Sequence, residues 1–167
     1  MDSKQLRITA AGHHLRVRHS FRELTPADQA AIQAAWSAVV AQCREIKRRP
    51  RAPVLRLIHG KQWRGSAWRD SMLCRVTICD QKQYPCHNRY PDFYLRLMPG
   101  YTLLDRSELL ASFVAHELWH LYTPYHHTDY LMEFDCEAMA CRVIRSMRMA
   151  RFGLVTLPDS NHNITLS

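Results

Sequence analysis

Apolar and polar residues alternate through residues 6–19 (LRITAAGHHLRVRH), on both sides of Ala11-Gly12, and this period of two predicts a β-hairpin. From Thr25 the period lengthens. Ile32, Trp36, Val39, Val40 and Cys43 recur at helical spacing until Lys47-Arg48-Arg49 and Pro50 close the segment. Thr25 is placed to cap this helix, Pro26 to take its first position and Asp28 to complete a capping-box-like pair. Three strand-like runs follow, Val54–Ile58, Leu73–Ile78 and Phe93–Met98, with a Gly/Trp/Arg-rich loop at 61–69 and an Asn/Pro-rich loop between them. In the third run Phe93, Leu95 and Leu97 alternate with Tyr94 and Arg96, as in a half-buried or edge strand. Residues 105–122 and about 128–150 predict two long helices, and 153–167 a loose tail. The order hairpin, helix, three strands, two helices predicts one α+β domain over residues 1–152, with the hairpin in 1–24 and a strand–helix–helix core in 92–150.

Composition narrows the class. The 167 residues are 47% hydrophobic and 23% charged with only 5 Gly, which excludes a disordered, collagen-like or membrane-bundle chain. No run approaches the roughly 18 apolar residues of a spanning helix, and MDSKQLRIT lacks the apolar core of a signal peptide. The expectation is a cytoplasmic protein with no membrane partner. In that compartment Cys43, Cys74, Cys79, Cys86, Cys136 and Cys141, which form no CxxC pair, read as thiols used for packing. Cys86-His87 beside Cys79 fits no common metal spacing. The formal net charge of +8 raises the odds of an anionic partner, nucleic acid above all, without naming one.

The chemistry concentrates in the first long helix. Asp105-Arg106-Ser107-Glu108 opens it with a capping-box pattern, and Leu109, Leu110, Phe113, Val114, Leu118 and Leu121 form its apolar stripe. Within it stands His116-Glu117-Leu118-Trp119-His120, an HExxH. Four residues of helix advance about 6 Å and slightly more than one turn, so both imidazoles project from one face and can meet one ion. Glu117 flanks them, placed to take a proton from a water held by that ion.

A catalytic zinc ordinarily has three protein ligands and one open position. Glu133 and Glu137 stand i,i+4 in the next helix, on a stripe with Cys136, Ala140, Val143, Ile144 and Met147. Two carboxylates on an apolar stripe need a partner, which a metal and its histidines supply; pairing with Arg142 or Arg145 is the other reading. His126, ten residues after His116, competes for the third position, with His127 beside it as a loop or capping residue. Pro124 ends the helix in between, as either arrangement requires.

HExxH followed by Glu133-Phe134-Asp135-Cys136-Glu137-Ala138-Met139-Ala140 resembles the gluzincin pattern of zincin-fold metallopeptidases, in which a second helix bears ExxA[D/E/N]. Similar arrangements occur in ImmA/IrrE-type peptidases and ArdC-type zinc domains. The resemblance implies Glu133 as the third zinc ligand and Glu137 as the support of a ligand histidine. Cys136 stands where Ala is usual, and Glu137 where Asp or Asn is common. SprT-like and WLM-type zinc proteases are a second resemblance, which implies His126 as third ligand. Both rest on roughly residues 92–147, and Glu133 is the preferred assignment.

The combined expectation is a Zn²⁺-dependent metallopeptidase with Glu117 as general base and a protein or peptide as substrate. Tyr122, Tyr125, Tyr130 and His127 are equal candidates for an oxyanion donor, and Tyr94, Leu95 and Arg96 for a strand on which substrate lies. The competing expectation is a zinc-stabilised binding module for nucleic acid or protein. Arg142, Arg145, Arg148 and Arg151 repeat at i,i+3, and KQWRGSAWR interleaves Trp63 and Trp68 with Lys61, Arg64 and Arg69.

Overall fold

The computed structural model describes residues 4–20, 23–79, 105–124 and 128–152. Among them the elements run β1 (Lys4–Ala10), β2 (His13–His19), α1 (Pro26–Glu45), β3 (Val54–His59), β4 (Arg64–Trp68), β5 (Leu73–Ile78), α2 (Arg106–Tyr122) and α3 (Asp129–Phe152). They form one α+β unit, as the hydrophobic pattern predicts. The third strand-like run, Phe93–Met98, lies outside the described residues, and so do Cys86 and His87.

The β1–β2 hairpin turns at Ala11 and Gly12, both with positive φ (45° and 80°), the backbone that a two-residue loop between twisted strands needs. The sheet has the order β1-β2-β3-β5-β4, with β2, β3 and β5 mutually parallel and β1 and β4 antiparallel at its edges. A parallel β2–β3 pair requires a crossover, and the 20 residues of α1 provide it. Alternation sends Leu15 and Val17, Leu55 and Leu57, and Cys74, Val76 and Ile78 into the core. Helix α2 packs against α1, α3, β4 and β5, so its middle turns are buried on nearly every side. Cys43, Cys74, Cys79, Cys136 and Cys141 are buried thiols within this interior.

Two local expectations change. Thr25 caps α1, its hydroxyl accepting from the Asp28 amide at 3.1 Å, but the Asp28 carboxylate turns away to meet Arg106 at 3.4 Å. The supposed loop at 61–69 contains β4, paired with β5 from Arg64↔Thr77 to Trp68↔Leu73. RGSAW carries no strand pattern of its own; its extended state comes from the β5 ladder and from Trp63, which is buried and stacked on Phe113 at 5.6 Å.

Candidate metal centre

The site is built where α2 and α3 cross. A full capping box starts α2: the Glu108 amide donates to Asp105 Oδ1 at 2.8 Å, and the Asp105 amide donates to Glu108 Oε2 at 3.2 Å. Three turns on, His116 and His120 point from the same face, with Nε2 atoms 3.0 Å apart. From α3, Glu133 reaches both: Oε2 is 3.2 Å from His116 Nε2, and Oε1 is 3.4 Å from His120 Nε2. Glu137, one turn further along, lies 3.4 Å from the other nitrogen of His116, Nδ1. The i,i+4 spacing of the two glutamates thus puts one carboxylate among the Nε2 atoms and one behind the first ring.

This donor set suits a small divalent cation. Four donors arranged tetrahedrally at ~2.0–2.1 Å from one ion stand about 3.3–3.4 Å apart. The separations among the two histidine nitrogens and the two Glu133 oxygens, 3.0, 3.2 and 3.4 Å, lie within a few tenths of an ångström of that figure. A carboxylate against the rear nitrogen of a ligand histidine is the outer support that metal sites commonly use. One oxygen of the buried Glu137, Oε2, has no hydrogen-bond partner among the described residues, which marks the cluster as short of positive charge.

The titration of the cluster follows from the same shortage. Burial pulls the His116 pKa down, but its contacts with Glu133 and Glu137 outweigh this and hold it well above the ordinary imidazole value. His120, buried and facing a charged His116, is held below it. Burial, aided by the charges of Glu133 and Glu137, pushes Glu117 up to about 7 although His116 opposes it.

The Glu117 carboxylate, within electrostatic reach of His116, Glu133 and Glu137, abuts β4 at Gly65. A Cβ built on Gly65 would stand 2.0 Å from Glu117 Oε1, 2.4 Å from Cδ and 2.6 Å from Cγ. The buried carboxylate therefore fills the space that any other residue at position 65 would occupy. Sequence reasoning missed Gly65 because it fell in a segment read as loop. The only available signal was a lone glycine between Arg64 and Ser66.

Cys136 is the other donor that reading passed over. Its Sγ and one nitrogen each of His116 and His120 lie within 4.8 Å of one another. The Glu133 oxygens stand 3.2 and 3.4 Å from the same two rings, so two side chains of α3 offer donors beside the histidines. His126, His127 and Tyr125 lie outside the described residues, as do Tyr94, Leu95 and Arg96.

Other predicted residues sit elsewhere. The Tyr122 hydroxyl donates to the Arg51 carbonyl at 2.6 Å and its ring packs near Trp36, so it does not face the histidines. Tyr130 is exposed at the start of α3. Of the basic stripe, Arg148 and Arg151 meet Glu108 and Asp105, Arg142 contacts Gln42 and Glu45, and Arg145 is exposed. Trp63 belongs to the core rather than to a stacking surface, whereas Trp68 is exposed beneath the Arg75 guanidinium. Lys61 and Arg64 are exposed, and Arg69 binds the His120 carbonyl.

No family model matches the chain, and no curated protein matches it. Among solved structures it is similar to the aminopeptidase N family protein from Idiomarina loihiensis, with a TM-score of 0.48 and 14% identity; the match covers 72% of this chain and 18% of that one. The chain thus spans less than a fifth of that protein's length. No helix among the described residues is long and apolar enough to cross a membrane.

Proposed function

We propose that this protein is a zinc-dependent metallopeptidase of the zincin type, in which His116, His120 and Glu133 hold the metal. The observation that carries the reading is Glu133, which comes from a separate helix yet lies 3.2 and 3.4 Å from the two HExxH nitrogens. Zinc bound there supplies a Lewis acid for a peptide carbonyl and makes water a nucleophile at neutral pH. Glu137 fixes the ring of His116 from behind and keeps Nε2 turned to the donor cluster. Glu117 takes the proton of the attacking water and returns it to the leaving amine. Its carboxylate is held for both transfers between α2 and the backbone of β4 at Gly65.

Edge strand β4 has a partner on one side only among the described residues, so an extended peptide can pair with its other side next to Glu117. This offers a substrate strand beside the one read from residues 93–98.

The test combines metal analysis with peptide hydrolysis. Purified protein should hold one zinc, and Glu117→Gln should keep that zinc while losing about 10²–10⁴-fold in kcat. A folded protein that takes up no zinc defeats the reading, and full activity in Glu117→Gln defeats the mechanism.

The second reading, a zinc-stabilised module without peptidase activity, is favoured by Cys136, which adds a fourth donor near His116 and His120. A ring of four protein ligands leaves no open position. A thiolate-to-metal absorption band in the cobalt-substituted protein, absent in Cys136→Ala, would decide for it.

A further inference from the structure

A second cluster of charge, independent of the metal reading, lies at the C-terminal end of α2. A cavity of about 460 Å³ there is lined by Arg48, Arg49, Arg51 and Arg69, with Asp70 as the one carboxylate among them. Four guanidinium groups against one carboxylate leave an excess of three positive charges around one space, within a chain of net charge +8. Like charges so placed repel one another unless an anion comes between them.

Two of the four are already anchored. Arg48 donates to the carbonyls of Tyr122 and Thr123, and Arg69 donates to the His120 carbonyl through Nε at 3.1 Å and Nη2 at 2.9 Å. Cations at the last carbonyls of a helix are ordinary end-capping. Arg49 and Arg51 have no such use: both side chains are exposed, and neither forms a hydrogen bond or ion pair with a described residue.

The backbone that presents them is fixed and locally strained. The Arg48 amide closes the end of α1 on the Cys43 carbonyl at 2.7 Å, with Lys47 at φ 55°. The Met72 amide closes the turn after β4 on the Arg69 carbonyl at 3.1 Å, with Met72 at φ 49°. The Tyr122 hydroxyl holds the Arg51 carbonyl at 2.6 Å. Of the three non-glycine residues described with positive φ, Met72 lines this cavity and Lys47 directly precedes its lining residue Arg48, and strain of that kind gathers at ligand sites.

We infer that the cavity is a binding site for phosphate groups, with Arg48 and Arg69 preset on its wall and Arg49 and Arg51 closing on the oxygens. The planar fork of Arg suits phosphate in bidentate fashion, and the threefold charge excess suits a multiply charged anion or successive phosphodiesters better than one carboxylate. The volume falls in the range of about 300–1,000 Å³ usual for ligand sites.

The source of the phosphate, a single-stranded nucleic acid or a small phosphate compound, is separated by two probes. Fluorescence anisotropy follows a short labelled oligothymidylate, and the thermal midpoint follows added pyrophosphate. Arg49→Glu/Arg51→Glu is compared with Arg142→Glu/Arg145→Glu, which changes charge equally elsewhere. If the backbone of a nucleic acid is bound, the cleft reversal should weaken the oligonucleotide more than about tenfold and lower the salt slope by about 1.4, at about 0.7 per phosphate, while the control stays within about twofold. If a small compound is bound, pyrophosphate should raise the midpoint of wild type and control but not of the cleft variant. Should the reversal not fold, Arg49→Ala/Arg51→Ala gives the same reading with smaller changes. The inference is overturned if wild type responds to neither probe, or if both reversals weaken binding equally.

Discussion

The contact between α2 and α3 carries buried carboxylates at both ends, and the two ends neutralise them differently. At the N-terminal end of α2, Glu108 is 4% exposed and lies in the fork of Arg148, with distances of 2.8 and 3.1 Å, while Asp105 meets Arg151. At the other end Glu137 is as deeply buried, at 5%, and Glu133 stands beside it, but the facing cations are imidazoles. An Arg is charged at every pH a cell meets, whereas a histidine is charged only when a proton is available. A buried carboxylate without a permanent partner costs several kcal/mol. The first end is therefore neutralised by permanent cations of the chain, and the second depends on a proton held by His116 or, on the proposed function, on a metal ion in its place.

The largest expected effect separates the ends by metal. Zinc at a thousandfold excess over its Kd should stabilise the fold by about 4 kcal/mol, roughly 8–16 °C in thermal midpoint for a domain of this size. Differential scanning fluorimetry with zinc and with chelator measures this. His116→Ala/His120→Ala should abolish the shift, and a shift that survives would break the comparison. Next comes Arg148→Ala, which takes the nearest cation from Glu108 and leaves it Arg151 at 3.7 Å. A fully buried pair loses about 3–5 kcal/mol when one partner goes, but Arg148 is 32% exposed, so about 2 kcal/mol is expected. The zinc response should remain intact in that variant, since the arginine end does not touch the ligands.

A third variant probes the wall behind the general base. Gly65→Ala should cost about 1–3 kcal/mol by overpacking against Glu117, and the cost should vanish in a Glu117→Ala background. Equal costs in both backgrounds, read from chemical unfolding, would mean the added methyl is accommodated elsewhere. In the peptidase assay the same variant should lower kcat and leave zinc content unchanged, because the atoms nearest the added methyl belong to Glu117 and not to His116, His120 or Glu133.

The way these features were written in the sequence differs between the ends too. HExxH and the Glu133/Glu137 spacing are local periodicities, legible because a helix converts i,i+4 directly into a shared face. The hairpin, α1, β3, β5 and the two long helices were legible for the same reason. Arg148 and Arg151 read as a free basic stripe because their acids lie 40 and 46 residues away, a distance that only the packing of α3 on α2 closes. Strand β4 was hidden for a related reason, since RGSAW takes its conformation from β5, and with it the role of Gly65 stayed out of sight.

The smallest effect tests the arginine end at its rim. Burial alone would raise the Asp105 pKa, but the hydrogen bonds from Arg151 and from the Glu108 and Ser107 amides win and hold it below the ordinary carboxylate value. A carboxyl depressed in the folded state contributes stability that is present above its unfolded pKa, near about 3.9, and is lost as the pH falls through the folded value. The two side chains are 48% and 44% exposed, so water screens the pair and its contribution at neutral pH should be about 0.5 kcal/mol. Arg151→Ala should therefore lower stability slightly at neutral pH and by nothing measurable below about pH 3, with the difference shrinking in high salt. A difference that persists in acid would assign Arg151 to packing instead. In that case its 3.7 Å approach to Glu108, rather than its contact with Asp105, would be what ties the end of α3 to the start of α2.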